Sequence, residues 1–155
     1  MNAVATIALE LADAAATEAA GAALAPWVRL RPGGIVYLHG ELGAGKTTLM
    51  RGLLRALGVE GPIRSPTYTL VEPYDVAGRQ LLHADLYRLG DPLELLTLGI
   101  DDAPPGAVWW FVEWPERATG VLPAADARLS LQATPAGRAL RIDVPDDWPD
   151  LLLVQ

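Results

Sequence analysis

The sequence contains no cysteine and only one lysine, Lys46, beside eleven arginines. Without cysteine the chain forms neither disulfide bonds nor thiolate metal sites. Its formal net charge of −7 argues against a protein that binds nucleic acid by itself, because binding to the nucleic-acid phosphates needs clustered basic residues. No apolar run approaches the roughly 18 to 20 residues that span a bilayer. A secretory signal requires basic residues before its apolar segment, and no basic residue precedes Arg29. We therefore expect a cytoplasmic domain without membrane contact.

Apolar runs alternate with helical patterns along the chain, which is typical of an α/β domain. Pro26 is expected to break the first helix, and Gly58 to end the second as a C-cap. The third helix is expected to begin with Asp91 as its N-cap and Pro92 in its first turn. The predicted helices lie at 11–24, 46–57 and 91–99, and the predicted strands at 4–9, 34–40, 67–74, 79–87, 107–114, 127–133 and 139–144.

The single lysine lies in "GELGAGKT", residues 40–47, which matches the phosphate-binding loop G-x-x-x-x-G-K-[ST]. The glycines let successive N–H groups point at an anion, and the following helix presents its positive end to the same phosphates. Lys46 is expected to reach the β- and γ-phosphates and stabilise the transition state, and Thr47 to bind Mg²⁺. The predicted nucleotide contacts in this segment are Gly40, Gly43, Ala44, Gly45, Lys46, Thr47 and Thr48.

These elements predict a single-domain P-loop NTPase fold over residues 1–155. Its central sheet should be mostly parallel and flanked by helices, with an antiparallel hairpin near the C-terminus. ATP is favoured over GTP, because guanine-specific GTPases of the Ras type use an Asn-Lys-x-Asp motif and this chain has no asparagine beyond Asn2.

A P-loop enzyme also needs an acidic residue near the metal ion, usually where a neighbouring strand ends. Glu113 follows five apolar residues and fits this role, although an ordinary strand-ending acid has the same pattern. Asp85 is a second candidate for binding the metal or orienting the attacking water; alternatively it caps a turn or pairs with Arg88. His83 is interpreted as a packed or hydrogen-bonded strand residue. Most tryptophans are core residues, whereas Trp114 directly follows the candidate acid at the strand end and is therefore a candidate for the site.

Residues 65–69, "SPTYT", lie where P-loop proteins carry a loop that senses the γ-phosphate. Their hydroxyls either contact Mg²⁺ or phosphate, or belong only to a proline-containing turn that enters a strand. The pattern alone leaves both interpretations open.

Four segments together resemble the TsaE family, which are small bacterial P-loop ATPases of tRNA threonylcarbamoyladenosine synthesis. They are "GELGAGKTT", "RSPTYTLVEPY", "HADLYRLGDPLELLTLGI" and "VEWPERATGVLP", in this order. Many families share the P-loop, whereas "SPTYTLVE" and "DLYRL" followed by "VEWP" are much more specific. The resemblance extends over nearly the whole chain, from residue 10 to residue 143.

The resemblance implies roles for residues outside the phosphate-binding loop. It makes Glu113 the second protein ligand of Mg²⁺ beside Thr47, and Asp85 the residue needed for hydrolysis. Thr67 falls in the switch-like segment, and Trp114 matches a family position beside the nucleotide.

Two further residues align with family positions near the nucleotide. Thr17 corresponds to a contact with adenine or ribose from the N-terminal helix, and Arg138 to an arginine on a hairpin. Their alternative interpretations are a hydroxyl on a helix face and a solvated turn arginine.

The resemblance also implies partner proteins. TsaE-like proteins act with TsaD, which transfers the threonylcarbamoyl group to adenosine 37 of tRNA, and with TsaB, its inactive relative. ATP binding is expected to support association with the TsaB–TsaD pair, and hydrolysis to reset that complex. The tRNA would be held chiefly by the partners, which fits the acidic charge of this chain.

Two other functions use the same phosphate-binding loop. A small-metabolite P-loop kinase usually needs a basic lid, whereas the arginines after the loop are dispersed, with Arg51, Arg55 and Arg64 the densest set. A non-hydrolysing nucleotide sensor that only binds partners would not need Asp85 or Glu113 for its function.

Overall fold

The computed structural model describes residues 3–98 and 106–152. Gly99, the last residue of the third predicted helix, lies outside them. None of the helices in this part of the chain is long and apolar enough to cross a bilayer. The strands are β1 (Val4–Leu11), β2 (Gly34–His39), β3 (Val71–Val76), β4 (Arg79–Asp85), β5 (Trp109–Glu113), β6 (Ala127–Thr134) and β7 (Gly137–Pro145). The helices are α1 (Ala14–Ala22), α2 (Ala25–Leu30), α3 (Lys46–Ala56), α4 (Glu94–Thr97) and a 3₁₀ helix at Pro115–Ala118.

The strands form one sheet in the order β1-β7-β6-β2-β5-β4-β3. The four strands β6, β2, β5 and β4 pair in parallel, whereas the outer pairs β1–β7, β7–β6 and β4–β3 are antiparallel. The sheet is therefore mixed, and the prediction of a mostly parallel sheet is correct only for its centre. For two of the three antiparallel pairs the cause is local, because two-residue turns join β3 to β4 and β6 to β7 and so reverse the chain. The predicted hairpin near the C-terminus is the β6–β7 pair.

Each face of the sheet packs against its own hydrophobic core. On one face, Trp27 of α2 and Leu53 of α3 pack in the same core as Phe111 of β5. On the other face, Leu95 of α4 packs in the core that contains Val112 of β5. The strand β5 is thus buried on both sides, as its uninterrupted apolar sequence predicts.

Two helix predictions need correction. The first helix ends at Ala22, and Pro26 begins a new helix instead of stopping one, since it lies in the first turn of α2. Proline is tolerated there because that turn needs no N–H from it. The third predicted helix is reduced to the four residues of α4. The Asp91 carboxylate accepts a hydrogen bond from the Leu93 N–H at 3.0 Å, which forms a turn before the helix and not its N-cap.

The helices α1 and α3 approach each other backbone to backbone. A Cβ atom added at Gly21 of α1 would lie 1.9 Å from the Leu49 carbonyl oxygen, and one added at Gly52 of α3 would lie 2.0 Å from the Glu18 carbonyl oxygen. Any side chain at either position would therefore push the two helices apart. Glycine is required here by the close approach, although it is a poor helix former.

Replacing Gly52 with alanine is expected to destabilise the protein by about 1–3 kcal/mol, because the added methyl group overpacks the contact with α1. Urea unfolding followed by circular dichroism measures this change. The matched control is Gly90→Ala, where the nearest atom is the flexible Glu94 Oε1 at 3.3 Å, and it should stay within about 0.5 kcal/mol of the unchanged protein. Equal stability of Gly52→Ala and the unchanged protein would contradict the close approach of the helices.

Candidate functional site

The loop at 40–45 joins β2 directly to α3, which begins at Lys46. Gly45 has a φ of 108°, a left-handed conformation that favours glycine. At Gly40, whose φ is 154°, an added Cβ would lie 2.8 Å from the Leu131 carbonyl oxygen. The loop therefore needs glycine at both positions. It delivers the unpaired N–H groups at the start of α3 to a concave surface, which favours an anion.

Lys46 is buried at the start of α3, with 5% of its surface exposed. Its ammonium group donates a hydrogen bond to the Gly40 carbonyl and lies 3.9 Å from the centroid of the Trp114 ring. Burial lowers the pKa of Lys46, and the carboxylates of Glu113 and Asp85 act against that shift. The single lysine of the chain is thus a buried cation close to two carboxylates.

Trp114 connects β5 to the 3₁₀ helix in a left-handed conformation, with φ 57° and ψ 50°. This region of backbone space is uncommon for a bulky residue, and such residues cluster at functional sites. The turn places the indole ring against the Lys46 ammonium on one side and within 5.0 Å of the Tyr87 ring, measured between centroids. Trp114 therefore lies in the candidate site, at the edge of the core that contains Val112 and against which it packs.

Two acidic residues end the neighbouring parallel strands at the same edge of the sheet. Asp85 ends β4 and Glu113 ends β5, and the two are direct partners in the strand register. They are 6% and 3% exposed, so water screens their charges poorly. Both line a cavity of about 240 Å³, whose other lining residues include Gly43, Gly45, Lys46, Thr47, Thr48, Ser65, Thr67 and Trp114.

The segment 65–69 is hydrogen-bonded to Asp85. The hydroxyls of Ser65 and Thr67 donate to Asp85 Oδ2 at 3.2 and 3.3 Å, and the Tyr87 N–H donates to Oδ1 at 3.0 Å. The ion pairs of residues 3–98 and 106–152 do not include one between Asp85 and Arg88. Asp85 therefore joins the strand edge to the serine and threonine hydroxyls through hydrogen bonds alone.

A second cavity, of about 170 Å³, adjoins the first and is lined by two more of the predicted residues. Thr17 and Arg138 line it, and both cavities share Gly43, Gly45 and Thr48. Arg138 contacts the loop directly, since its Nη2 donates to the Gly43 carbonyl at 3.1 Å. Thr17 is 2% exposed, and its hydroxyl donates to the Asp13 carbonyl at 3.2 Å.

Two loop residues of the predicted set line neither of these cavities. Ala44 packs its methyl group in the core, and its N–H donates to the Glu41 carbonyl at 3.0 Å. Gly40 contributes its carbonyl to the Lys46 ammonium. These two residues shape the loop, whereas Gly43, Gly45 and the first turn of α3 line the concave surface.

The interpretation of His83 as a packed or hydrogen-bonded strand residue is confirmed, and the structure adds that it lies next to the candidate acid Glu113. His83 lies on the same side of β4 as Asp85, and its Nε2 is 2.6 Å from Glu113 Oε2. Both side chains are buried. The available signal was the spacing His-x-Asp, because alternate residues of a strand point to the same face.

The oxygen atoms at this site suit Mg²⁺ bound together with a nucleotide. Within residues 3–98 and 106–152, no group of three or more histidine and acidic side chains is arranged to hold a metal ion alone. Thr47, Asp85 and Glu113 nevertheless line one cavity and offer only hard oxygen donors. Mg²⁺ is usually bound through one or two carboxylates, with phosphates and water completing its coordination, so these residues fit it.

The family model and the similar sequences agree on one family, and a solved structure shows a similar fold. The family model for the threonylcarbamoyl adenosine biosynthesis protein TsaE matches residues 11–140. The tRNA threonylcarbamoyladenosine biosynthesis protein TsaE of Haemophilus influenzae is 50% identical over 97 residues, which are 63% of this chain and 61% of that protein, less than two thirds of its length. The protein of the same name from Synechocystis is 42% identical over 116 residues, 69% of each chain. A crystal structure of Bacillus subtilis YdiB, at 24% identity, superposes with a TM-score of 0.71 over 95% of this chain and 89% of YdiB.

Proposed function

Since the chain belongs to the TsaE family of threonylcarbamoyl adenosine biosynthesis proteins, we propose that it is a cytoplasmic P-loop ATPase acting in synthesis of the tRNA nucleoside threonylcarbamoyladenosine. The observation that carries the proposal is the cavity where Lys46, Asp85 and Glu113 meet the first turn of α3. A cation, a helix N-terminus and two carboxylates at one concave surface are the parts that phosphoryl transfer from a nucleotide requires.

The nucleotide occupies both of the adjoining cavities. The phosphates lie in the cavity of about 240 Å³ beside Lys46, and the nucleoside extends into the cavity of about 170 Å³ beside Thr17 and Arg138. The Lys46 ammonium exchanges the Gly40 carbonyl for phosphate oxygens. This exchange is favourable because a charged acceptor makes a stronger hydrogen bond than a neutral carbonyl.

The buried acids Asp85 and Glu113 and the phosphate-binding loop have different roles in hydrolysis. Mg²⁺, when bound by the Thr47 hydroxyl and the Glu113 carboxylate, neutralises charge on the β- and γ-phosphates. Asp85 accepts a hydrogen bond from the attacking water and aligns it with the γ-phosphorus. Lys46 and the N–H groups of the loop stabilise the charge on the transferred phosphoryl oxygens. ATP and water yield ADP and inorganic phosphate.

Asp85 also connects hydrolysis to the segment 65–69. Its Oδ2 accepts hydrogen bonds from Ser65 and Thr67, so a change at the γ-phosphate reaches this segment through one side chain. Binding of ATP orders the segment 65–69 for association with a TsaB–TsaD pair, and release of phosphate resets the complex. The net charge of −7 fits a subunit whose tRNA contacts are made through its partners.

The proposal is tested by phosphate release from Mg·ATP, measured for the purified chain alone and with a TsaB–TsaD pair. We expect slow release alone and faster release with the partners, because no arginine of this chain lines the phosphate cavity among the described residues. A partner therefore supplies any additional cation. Absence of both binding and acceleration by the partners would contradict the role in this pathway.

The kinase alternative requires a basic lid over the transferred phosphoryl group. The arginines nearest the loop on α3 are engaged elsewhere, since Arg51 pairs with Glu18 at 3.6 Å and Arg55 donates to the Val59 carbonyl at 3.0 Å. A phosphorylated metabolite as product, in place of free phosphate, would favour a kinase. Binding of ATP without any turnover would favour a nucleotide sensor.

A further inference from the structure

The hydrogen bond between His83 and Glu113 lies directly behind the cavity proposed to hold Mg·ATP. His83 is 0% exposed, and its Nε2 is 2.6 Å from Glu113 Oε2. A carboxylate that binds a metal ion only accepts hydrogen bonds, so with Glu113 as a ligand of Mg²⁺ the hydrogen in this contact is carried by Nε2 and donated to Glu113. Glu113 Oε2 is therefore held by a hydrogen bond from a side chain in the protein interior.

Packing alone does not account for a histidine at this position. Its other ring nitrogen, Nδ1, is buried and has no hydrogen-bond partner among the described residues. An unpartnered buried nitrogen lowers stability, and an apolar side chain would avoid that cost. The neighbour on the same face of β4, Leu81, is such a residue, fully buried in the core. The feature that distinguishes His83 from Leu81 is its hydrogen bond to Glu113.

We propose that His83 is a positioning residue for the metal ligand Glu113. By holding Oε2, the imidazole fixes the rotation of the carboxylate and leaves Oε1 to face the cavity that Glu113 lines. Residues that hydrogen-bond to metal ligands orient them, and their loss typically weakens metal binding by about 10- to 100-fold. The inference rests on the proposed Mg·ATP site and adds to it a residue that contacts neither nucleotide nor metal.

The test compares His83→Leu, which removes the donor, with His83→Gln, whose amide nitrogen reaches about the position of Nε2. The main readout is the affinity of the protein–ADP complex for Mn²⁺, followed by electron paramagnetic resonance, so no turnover is needed. We expect His83→Leu to weaken Mn²⁺ binding about 10- to 100-fold and His83→Gln to retain it within about threefold. Affinity for ADP in EDTA should be unchanged in both variants, because His83 does not touch the nucleotide.

The core variant Leu81→Ala controls for a general loss of packing on the same strand and face. It should lower the melting temperature and leave Mn²⁺ affinity unchanged. If His83→Leu does not fold, His83→Asn replaces it, because the shorter amide does not reach Glu113; it is then expected to bind Mn²⁺ more weakly than His83→Gln.

Three results would overturn the inference: unchanged Mn²⁺ affinity without the donor, equal weakening in the donor-retaining and donor-lacking variants, or equal weakening in Leu81→Ala. Absence of ADP-dependent Mn²⁺ binding by the unchanged protein would overturn the proposed Mg·ATP site as well. The two failures are therefore distinguishable by the behaviour of the unchanged protein.

Discussion

Replacing Lys46 with alanine is expected to weaken ATP binding by roughly 10- to 100-fold, the effect of losing hydrogen bonds to a charged group. Among the described residues, Lys46 is the one cation that lines the phosphate cavity. Its removal also leaves Glu113 and Asp85 without the positive charge that offsets them. The phosphates then meet two carboxylates with no cation supplied by the protein. Calorimetric titration with Mg·ATP measures the loss.

The matched control for this variant is Arg51→Ala. Arg51 lies farther along the same helix and forms a partly exposed ion pair with Glu18, so its loss should leave ATP affinity within about threefold of the unchanged protein. Circular dichroism establishes that both variants are folded. Retention of full ATP affinity by a folded Lys46→Ala variant would show that the loop does not bind phosphate.

The second large effect is expected for Asp85→Asn, which should reduce the turnover number roughly 100-fold or more, as loss of a group that accepts a proton or orients water usually does. ATP affinity should change by no more than about threefold. The amide keeps the local structure, because its oxygen still accepts from the Tyr87 N–H and its nitrogen donates to the hydroxyls of Ser65 and Thr67. Single-turnover phosphate release separates this loss from a change in binding.

Asp75→Asn is the isosteric control for this substitution. Asp75 lies on the adjacent strand β3 and is exposed, so turnover should not change. A parallel loss of ATP affinity and turnover in Asp85→Asn would assign Asp85 to nucleotide binding. Normal turnover in that variant would remove Asp85 from the hydrolytic step.

The parts of the site that could be predicted from sequence are those encoded by contiguous residues. The loop at 40–45, the strand before it and the helix after it follow from one motif and its flanking apolar pattern. Glu113 was identified because it ends an apolar run, and the structure places it at the end of β5. The residues that lie next to each acid can be predicted only when the strand order is known, and local sequence patterns do not contain that order.

The omissions from the sequence analysis are contacts between distant segments. Whether His83 lies beside Glu113 depends on the register in which β4 pairs with β5, where His83 opposes Phe111 and Asp85 opposes Glu113. The antiparallel pairing of β1 with β7 likewise joins Val4 to Pro145, from opposite ends of the described chain. The alternation of apolar residues identifies each strand and says nothing about its partner.

The close contact between α1 and α3 at their glycines limits changes in the distance between the two cavities that we propose to bind the nucleotide. Thr17, on α1, lines the cavity of about 170 Å³, and Thr47, on α3, lines the cavity of about 240 Å³. At Gly21 and Gly52 the two backbones touch without an intervening side chain, so the helices have little freedom to slide at these positions. We therefore expect the distance between these two residues to change little when ATP binds. We expect closure around ATP to involve the segment 65–69 and Arg138 at the start of β7, which reach the site through side-chain hydrogen bonds.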